Sequence, residues 1–393
     1  MTVKEVERLQ RYKDLLAERS SNAIGYPFAL DFDFSELHTL FQYHINNVGD
    51  PYIESNYDVN SHSMEREVVE FFADLFRAPK HNRWGYVTSG GSEGNLYGLY
   101  VARELYPEAV IYYSAATHYS ISKSIRLLNM PSCMIRIQPN GEMDYKDLEE
   151  SIKRYSNRPA IVVANIGTTM TEAKDDVPTI RSVLQKAAVK SHYIHCDAAL
   201  SGSYLAVLEE EPQFDFANGV DSIACSGHKF IGSPFPCGVV VIKDQYKERV
   251  SKPVSYIGSF DSTIAGSRNG HSPVFMWYAI KQQGREGLLR RALECLSLAE
   301  YTQRRLQEHG IAAWRNEKAI TVVFPKPSAS ICRKWQLATN AGQAHLICMP
   351  GISQQRIDDF IEDLLKETSL IAREPTHSRV FVKPGDSIMI TQL

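Results

Sequence analysis

Hydrophobic positions along most of the chain alternate between helical spacing and short apolar runs, starting at about residue 64. Residues 64–76 place apolar side chains three and four positions apart, as in an amphipathic helix, whereas 84–90 form an apolar run that ends in glycines. Residues 92–106 then return to helical spacing. The same order continues with predicted strands at 109–114, 133–138, 160–167, 192–197, 221–226 and 237–243 and predicted helices at 118–129, 145–155 and 179–189. This alternation predicts an α/β fold, with a mostly parallel sheet covered by helices on both faces.

The two ends of the chain have different patterns. Residues 3–19 predict an amphipathic helix whose apolar face packs either on another subunit or on its own domain. Residues 267–310 predict long helices, and apolar runs within 319–327 and 344–350 followed by a helical 353–367 predict a small α+β domain. We therefore divide the chain into an N-terminal segment (1–60), a large domain (61–284), a small C-terminal α+β domain (285–370) and a tail of unassigned role (371–393).

The composition is that of an ordinary globular protein and excludes several classes of function. The 393 residues are 44% hydrophobic and 23% charged, with a formal net charge of −3 and no basic run, which argues against nucleic-acid and membrane partners. The first 20 residues are charged throughout and no stretch reaches membrane-spanning length, so we expect a soluble, cytoplasmic protein. Seven scattered cysteines without a C-x-x-C pair indicate reduced thiols, and twelve histidines without clustered ligand spacing indicate no metal site.

Proteins with such sheets bind their ligands beyond the carboxyl ends of the strands. Several polar residues of this chain follow predicted strands and would lie there. The segment "SGGSEGN" at 89–95 follows one strand and opens a helix, so its backbone N–H groups and the helix N-terminus could hold a phosphate. A glycine-rich turn that binds no ligand is the alternative. The segment matches neither G-x-x-x-x-G-K-[ST] nor G-x-G-x-x-G, which argues against a nucleotide ligand.

Three further strand ends carry candidate side chains. Asp197 could be a buried carboxylate that meets a cation or donor, or a helix N-cap. Lys229 could be a desolvated amine that attacks carbonyl groups, or a surface lysine. His118 could stack on a flat ring or lie on the surface, and the neighbours Ser226 and His228 could bind phosphate or serve packing. Together these groups fit pyridoxal phosphate, which needs a lysine for its aldehyde, a carboxylate for its ring nitrogen, a phosphate cup and a side chain against its ring.

Six motifs occur in one order over about residues 22–368: "SGGSEGN", "THYS", "NIGTT", "HCDAA", "SGHKF" and "GSRNGH". In this combination the chain resembles the fold-type I, pyridoxal-phosphate-dependent group II amino-acid decarboxylases, most closely their short histidine and serine decarboxylase branch. The resemblance implies a PLP-dependent transferase-like fold, pyridoxal 5'-phosphate as cofactor, and a homodimer with shared active sites.

The resemblance also implies a role for individual residues. Lys229 would bind the cofactor covalently, Asp197 would pair with its ring nitrogen, and Ala199 and His118 would pack on the two ring faces. Tyr256, on a segment that is a mobile loop in the family, would donate a proton to the substrate α-carbon. The remaining implied cofactor contacts are Gly91, Ser92, Ser226 and His228 at the phosphate, Thr168 near the ring hydroxyl or Asp197, and Arg268 either on the phosphate side or in a structural role.

The substrate is predicted from residues 43–62, a polar segment that lines the substrate pocket in the family and is otherwise an ordinary surface loop. The stretch "GDPYIESNY" resembles plant-type serine decarboxylases, whereas "QPNGEMDY" and "WRNEKAITVVFPKPS" are shared with histidine decarboxylases. We therefore expect L-serine, converted to ethanolamine, as the leading substrate and L-histidine, converted to histamine, as the alternative. An aminotransferase, an aldolase or a non-catalytic decarboxylase homologue is more remote. The candidate substrate contacts are Tyr43, His44, Asn47 and Tyr57.

Overall fold

The computed structural model describes residues 1–208 and 212–373, and within them ten α-helices and fourteen strands. The helices are α1 (Val3–Ser21), α2 (His62–Leu75), α3 (Gly91–Leu105), α4 (Tyr119–Leu127), α5 (Tyr145–Arg154), α6 (Val177–Lys186), α7 (Gly202–Leu208), α8 (His271–Glu308), α9 (Ala329–Lys334) and α10 (Gln354–Arg373). The strands are β1 (Asn46–Val48), β2 (Trp84–Thr88), β3 (Val110–Ser114), β4 (Ser132–Ile135), β5 (Ala160–Asn165), β6 (His192–Asp197), β7 (Ser222–Ser226), β8 (Gly238–Ile242), β9 (Lys252–Val254), β10 (Ser259–Asp261), β11 (Ser267–Asn269), β12 (Thr321–Pro325), β13 (Ala338–Asn340) and β14 (Gln343–Ile347).

A seven-stranded sheet with the order β2-β8-β7-β6-β5-β3-β4 forms the centre of the structure. Strands β7, β6, β5, β3 and β4 are parallel, and only β8 pairs antiparallel with both of its neighbours. Every residue of β5, β7 and β8 is buried, as expected for apolar strands covered on both faces. The predicted mostly parallel α/β sheet is confirmed.

Helices cover the two faces of this sheet and enclose two apolar clusters. Along β5, Val162 and Ala164 point into one cluster, which is shared with α2, α5, α6, α7 and α8. Ile161 and Val163 point into the other cluster, under α3 and α4. This alternation follows from the two-residue period of a strand and holds α3 directly against the central strands.

A second, antiparallel sheet with the order β12-β14-β13 belongs to the small C-terminal α+β part, together with α9 and α10. The long helix α8 leads into it and is interrupted at Gly284, whose φ of 60° lies in the left-handed region that glycine tolerates. The predicted tail at 371–393 lies outside the described residues from residue 374 onward, and the predicted domain boundaries remain predictions.

The N-terminal helix α1 has no residue buried against the described part of the chain. Its predicted apolar stripe, which includes Val3, Val6, Leu9, Tyr12 and Leu16, is between 45% and 76% exposed. Within the described residues, no other part of the chain packs on this apolar stripe. Among the described helices, none combines the length and hydrophobicity that a membrane span requires.

Candidate active site

Segments that follow the carboxyl ends of the central strands meet at one edge of the sheet. Strand β2 runs in the same direction as β7, because each pairs antiparallel with β8 between them, so the start of α3 also reaches this edge. The edge holds a cavity of about 200 Å³. Eight predicted site residues line it: Gly91, Ser92, His118, Asp197, Ala199, Ser226, His228 and Lys229. The structure therefore brings these residues together, as the positions of the strand ends predict.

Lys229 lines the cavity and is partly exposed. Burial nevertheless lowers the pKa of its amine, and the negative charge of Asp197 opposes this shift only in part. Among the described residues, Nζ has no hydrogen-bond or ion-pair partner. A desolvated amine without a partner favours the neutral form, which is the form that adds to a carbonyl group.

Asp197 ends β6 with its side chain only 7% exposed. Its Oδ2 accepts a hydrogen bond from Asn95 Nδ2 at 2.8 Å, and its Oδ1 accepts one from Ala199 N at 3.2 Å. Helix α7 begins only at Gly202, so the alternative that Asp197 is a helix N-cap is wrong. Both observed partners are neutral donors, and the carboxylate charge remains available to a cationic ligand.

The first turn of α3 approaches the ends of β6 and β7 closely. A Cβ atom at Gly91 would lie 3.0 Å from both Ala199 Cβ and Ser226 Oγ, so glycine allows the helix N-terminus to reach the cavity. His228 is anchored beside it, because its Nδ1 lies 2.8 Å from Cys237 O and 3.1 Å from Cys237 N, and burial lowers the pKa of its ring. The arrangement suits an anion held by backbone N–H groups and hydroxyls.

The ring of His118 is fixed at the start of α4. Its Nδ1 accepts a hydrogen bond from Ser120 N at 3.3 Å and lies 2.8 Å from Ser120 Oγ. Burial lowers the pKa of this ring, and the charge of Asp197 counteracts that shift. With Nδ1 as an acceptor, the neutral ring carries its proton on Nε2. His118 therefore presents a flat, uncharged ring to the cavity.

A wider cavity of about 840 Å³ adjoins the first and shares Tyr26, His118 and Lys229 with it. Thr168 lines this wider cavity, and its hydroxyl is bound within its own loop, 3.0 Å from Thr171 Oγ1 and accepting a hydrogen bond from Ala173 N at 3.0 Å. The wider cavity gives a small molecule a route to the amine.

Arg268 and Asn47 line neither of these two cavities in the single chain. Both side chains converge on the wholly buried Glu65, which forms an ion pair with Arg268 Nη1 and accepts a hydrogen bond from Asn47 Nδ2 at 2.6 Å. Arg268 Nη2 also donates to Gly49 O at 3.0 Å. These contacts support the structural alternative for Arg268, and its role at the phosphate remains a prediction.

Four other predicted residues also lie away from the two cavities of this chain. Tyr256 is on a short 3₁₀ turn between β9 and β10 and is 84% exposed. Tyr43 is 59% exposed, and Tyr57 donates its hydroxyl to His44 O at 3.0 Å. Their proposed contacts with substrate remain predictions.

Asn95 and His345 line the cavity but are absent from the sequence prediction. Asn95 lies four positions after Gly91, on the same face of α3, so helical spacing could have identified it. His345 comes from β14 of the small sheet, where it lies 3.0 Å from Met170 O and 3.2 Å from Gly25 O. No local pattern in the sequence points from that strand to the site.

Comparison with known proteins agrees with this geometry. Residues 40–325 match the profile of the "Pyridoxal-dependent decarboxylase conserved domain". The chain is 49% identical to a histidine decarboxylase of Mesorhizobium japonicum (91% of this chain, 97% of that protein) and 45% identical to one of Vibrio campbellii (93% and 95%). A crystal structure of L-methionine decarboxylase from Streptomyces sp.590 with L-methionine methyl ester superposes with a TM-score of 0.86 at 25% identity (93% and 95%). The predicted fold-type I fold is therefore confirmed.

The same comparisons correct the expected substrate. The relatives that share 45–49% identity with nine-tenths of the chain are named histidine decarboxylases, so the expectation of L-serine as leading substrate is wrong. The stretch "GDPYIESNY", on which that expectation depends, lies in a segment outside the two cavities of this chain.

Proposed function

We propose that this chain, which belongs to the pyridoxal-dependent decarboxylase family, removes the α-carboxyl group of L-histidine to give histamine and carbon dioxide. Family membership makes the protein a pyridoxal-phosphate-dependent amino-acid decarboxylase. The choice of L-histidine is supported by one observation, the 45–49% identity to histidine decarboxylases over about nine-tenths of the chain.

The cavity fits the cofactor in three respects. Lys229 supplies a desolvated amine for the aldehyde, Asp197 supplies a carboxylate for the ring nitrogen, and the glycine turn at the start of α3 leaves room for the phosphate. Ala199 and His118 would lie against the ring. When bound, the cofactor supplies an electron-poor ring that takes up the electron pair left on the α-carbon after carbon dioxide departs.

The side chains of the site have distinct tasks in this reaction. The carboxylate of Asp197 would hold a proton on the ring nitrogen, and the neutral ring of His118 would restrict the orientation of a molecule bound beside it. The walls of the cavity would orient the substrate so that the bond to its carboxyl group is the one that breaks. Tyr256 is the proposed proton donor to the α-carbon.

We also propose that the protein is a homodimer. The exposed apolar stripe of α1 supports this proposal, as does the position of Tyr43, His44 and Tyr256 on the surface of the chain, from which they could reach the cavity of a second subunit. The cytoplasmic location remains a prediction from the sequence alone.

A substrate panel tests the proposed function. Purified protein loaded with pyridoxal phosphate is incubated separately with L-histidine, L-serine, L-methionine and L-glutamate, and the amine and carbon dioxide released are identified. We expect histamine with equal carbon dioxide, without a keto-acid acceptor, and no product from the Lys229→Ala variant. Preferential release of ethanolamine, or turnover only with a keto acid, would refute the proposal.

A further inference from the structure

A continuous chain of buried hydrogen bonds leads from the interior of the large domain to Asp197. Ser222 Oγ lies 2.7 Å from His195 Nδ1, His195 Nε2 lies 2.9 Å from Asn95 Oδ1, and Asn95 Nδ2 donates to Asp197 Oδ2 at 2.8 Å. The four side chains come from β7, β6 and α3 and are at most 7% exposed. Only Asn95 and Asp197 line the cavity, and the other two lie behind them.

The chemistry of the groups fixes the direction of every bond. An ionised Asp197 can only accept, so Asn95 must turn its amide nitrogen toward it and its oxygen toward His195. That oxygen needs a donor, so the proton of the neutral imidazole is on Nε2. His195 Nδ1 is then an acceptor, and Ser222 supplies the hydroxyl proton. Burial lowers the pKa of His195 to about 4, so the ring is neutral at physiological pH.

The backbone of α3 is shaped around this histidine. A Cβ atom at Gly98 would lie 2.3 Å from His195 Nδ1 and 3.0 Å from Ser222 Oγ. The first distance is a steric clash, so only glycine fits at this position without a shift of the imidazole. Gly98 lies three positions after Asn95, on the same side of the helix. This close approach of the helix to the imidazole is a second, independent observation that the fold accommodates the hydrogen-bonded chain specifically.

We infer that Asn95, His195 and Ser222 are positioning residues that hold the carboxylate of Asp197 in the orientation in which it would meet the ring nitrogen of the bound cofactor. Hydrogen bonds to a carboxylate favour its charged form. Because the donor is a neutral amide, it adds no positive charge that would compete with a protonated ring nitrogen. An arginine or lysine in its place would neutralise the carboxylate. The inference rests on the cofactor chemistry of the family and not on L-histidine as the substrate.

The test compares three variants of the full-length protein. Asn95→Leu removes both the donor to Asp197 and the acceptor that fixes the histidine tautomer, whereas Ser222→Ala removes the hydroxyl that donates to His195 Nδ1. The matched control is Asn165→Leu, because Asn165 is also buried at the same sheet edge and donates to a buried carboxylate, Asp175, at 2.7 Å. Neither Asn165 nor Asp175 lines the cavity of about 200 Å³.

The readouts are the dissociation constant of pyridoxal phosphate from the apoprotein, the pH dependence of the bound cofactor's visible absorption, and the tautomer of His195 from nitrogen-15 NMR of the apoprotein. We expect Asn95→Leu to weaken cofactor binding about ten- to a hundredfold and Ser222→Ala about two- to tenfold, with a shifted absorption profile in both. We also expect an Nε2–H tautomer in the wild type, which Asn95→Leu makes mixed. Asn165→Leu should lower the melting temperature and leave cofactor affinity within about twofold.

Equal effects of Asn95→Leu and Asn165→Leu on cofactor affinity would overturn the inference, as would an Nδ1–H or a charged imidazole in the wild-type apoprotein. If Asn95→Leu does not fold, Ser222→Ala and the wild-type tautomer still decide. None of these measurements uses an amino-acid substrate, so their results do not depend on the substrate panel. A substrate panel without histamine would refute only the proposed function.

Discussion

At the scale of single residues, the burial of Arg268 supports a structural role for its side chain. Its side chain is 4% exposed and paired with Glu65, which has no exposed side-chain surface, and its guanidinium also lies 5.3 Å from the centre of the Tyr86 ring. Removing one partner of a buried ion pair leaves the other charge desolvated and unpaired. These contacts support a structural role for Arg268, and its role at the phosphate remains a prediction.

We predict that Arg268→Met lowers the free energy of unfolding by about 3–5 kcal/mol, measured by urea denaturation of the apoprotein. Cofactor affinity, measured separately on the folded variant, should change little. A control substitution of the surface residue Lys153, which pairs with Glu149 one helical turn away, should leave stability almost unchanged. Near-normal stability with a large loss of cofactor affinity would show instead that Arg268 serves the phosphate.

Single residues also show which parts of the site can be predicted from the sequence. Asp197 and Lys229 could be predicted because each follows an apolar strand, and parallel strands end at one edge. Arg268 and Glu65 are 203 positions apart in the sequence, so no local pattern predicts their ion pair. Asn47 donates to the same carboxylate from 18 positions away and lies in the interior, although its place in a polar, loop-like segment predicts a contact with substrate.

At the scale of elements, the hairpin of β9 and β10 presents Tyr256 on its connecting turn. The side chain is 84% exposed, so removal of its hydroxyl disturbs no packing. We predict that Tyr256→Phe leaves the melting temperature and cofactor affinity unchanged and lowers kcat for histamine release about a hundredfold or more. A variant with the wild-type rate would exclude this tyrosine as the proton donor.

Helix α1 is the second element with a predicted role. Substituting Leu9 and Leu16 by glutamate places charges in its exposed apolar stripe, and we expect light scattering after gel filtration to show monomers in place of dimers. Arg11→Glu is the control, because it reverses a charge on the opposite side of the helix, about 200° from Leu9. A monomeric wild type, or a double variant that stays dimeric, would contradict the proposed role of α1.

At the scale of the whole molecule, the order of strands and helices predicts the central sheet well because each apolar run is fully buried. What the sequence does not reveal is how the N-terminal segment and the small sheet reach the cavity. His345 from β14 and Gly25 line it together although they are 320 positions apart. Such a meeting depends on the packing of the whole chain and leaves no periodic signal.

Buried histidines predict how stability responds to acid. Burial lowers the pKa of each below its ordinary value of 6.5, so as the pH falls below about 6.5 the unfolded chain binds protons that the folded chain does not. Stability therefore falls with pH down to about 4, where His195 titrates, by up to about 1.4 kcal/mol per histidine and pH unit. Asp175 opposes part of this loss, because burial raises its pKa to about 6. The histidines concerned are His62, His118, His195, His228 and His345.

Urea denaturation of the apoprotein at pH 7.5 and 5.5 checks this expectation. The free energy of unfolding should be lower at pH 5.5, and His345→Gln should reduce the difference. The exposed His309 offers the matched control, since His309→Gln should leave the difference unchanged. Greater stability at pH 5.5 would show that the buried histidines do not govern the acid response.

The central claim is that the cofactor is bound covalently through the amine of Lys229, next to the carboxylate of Asp197. Borohydride reduction of the protein loaded with pyridoxal phosphate, followed by proteolysis and mass spectrometry, tests it directly. The account predicts one phosphopyridoxyl group per chain, on the peptide that contains residues 224–230, and none in Lys229→Ala. A label on another lysine, or no label on a protein loaded with the cofactor, would contradict it.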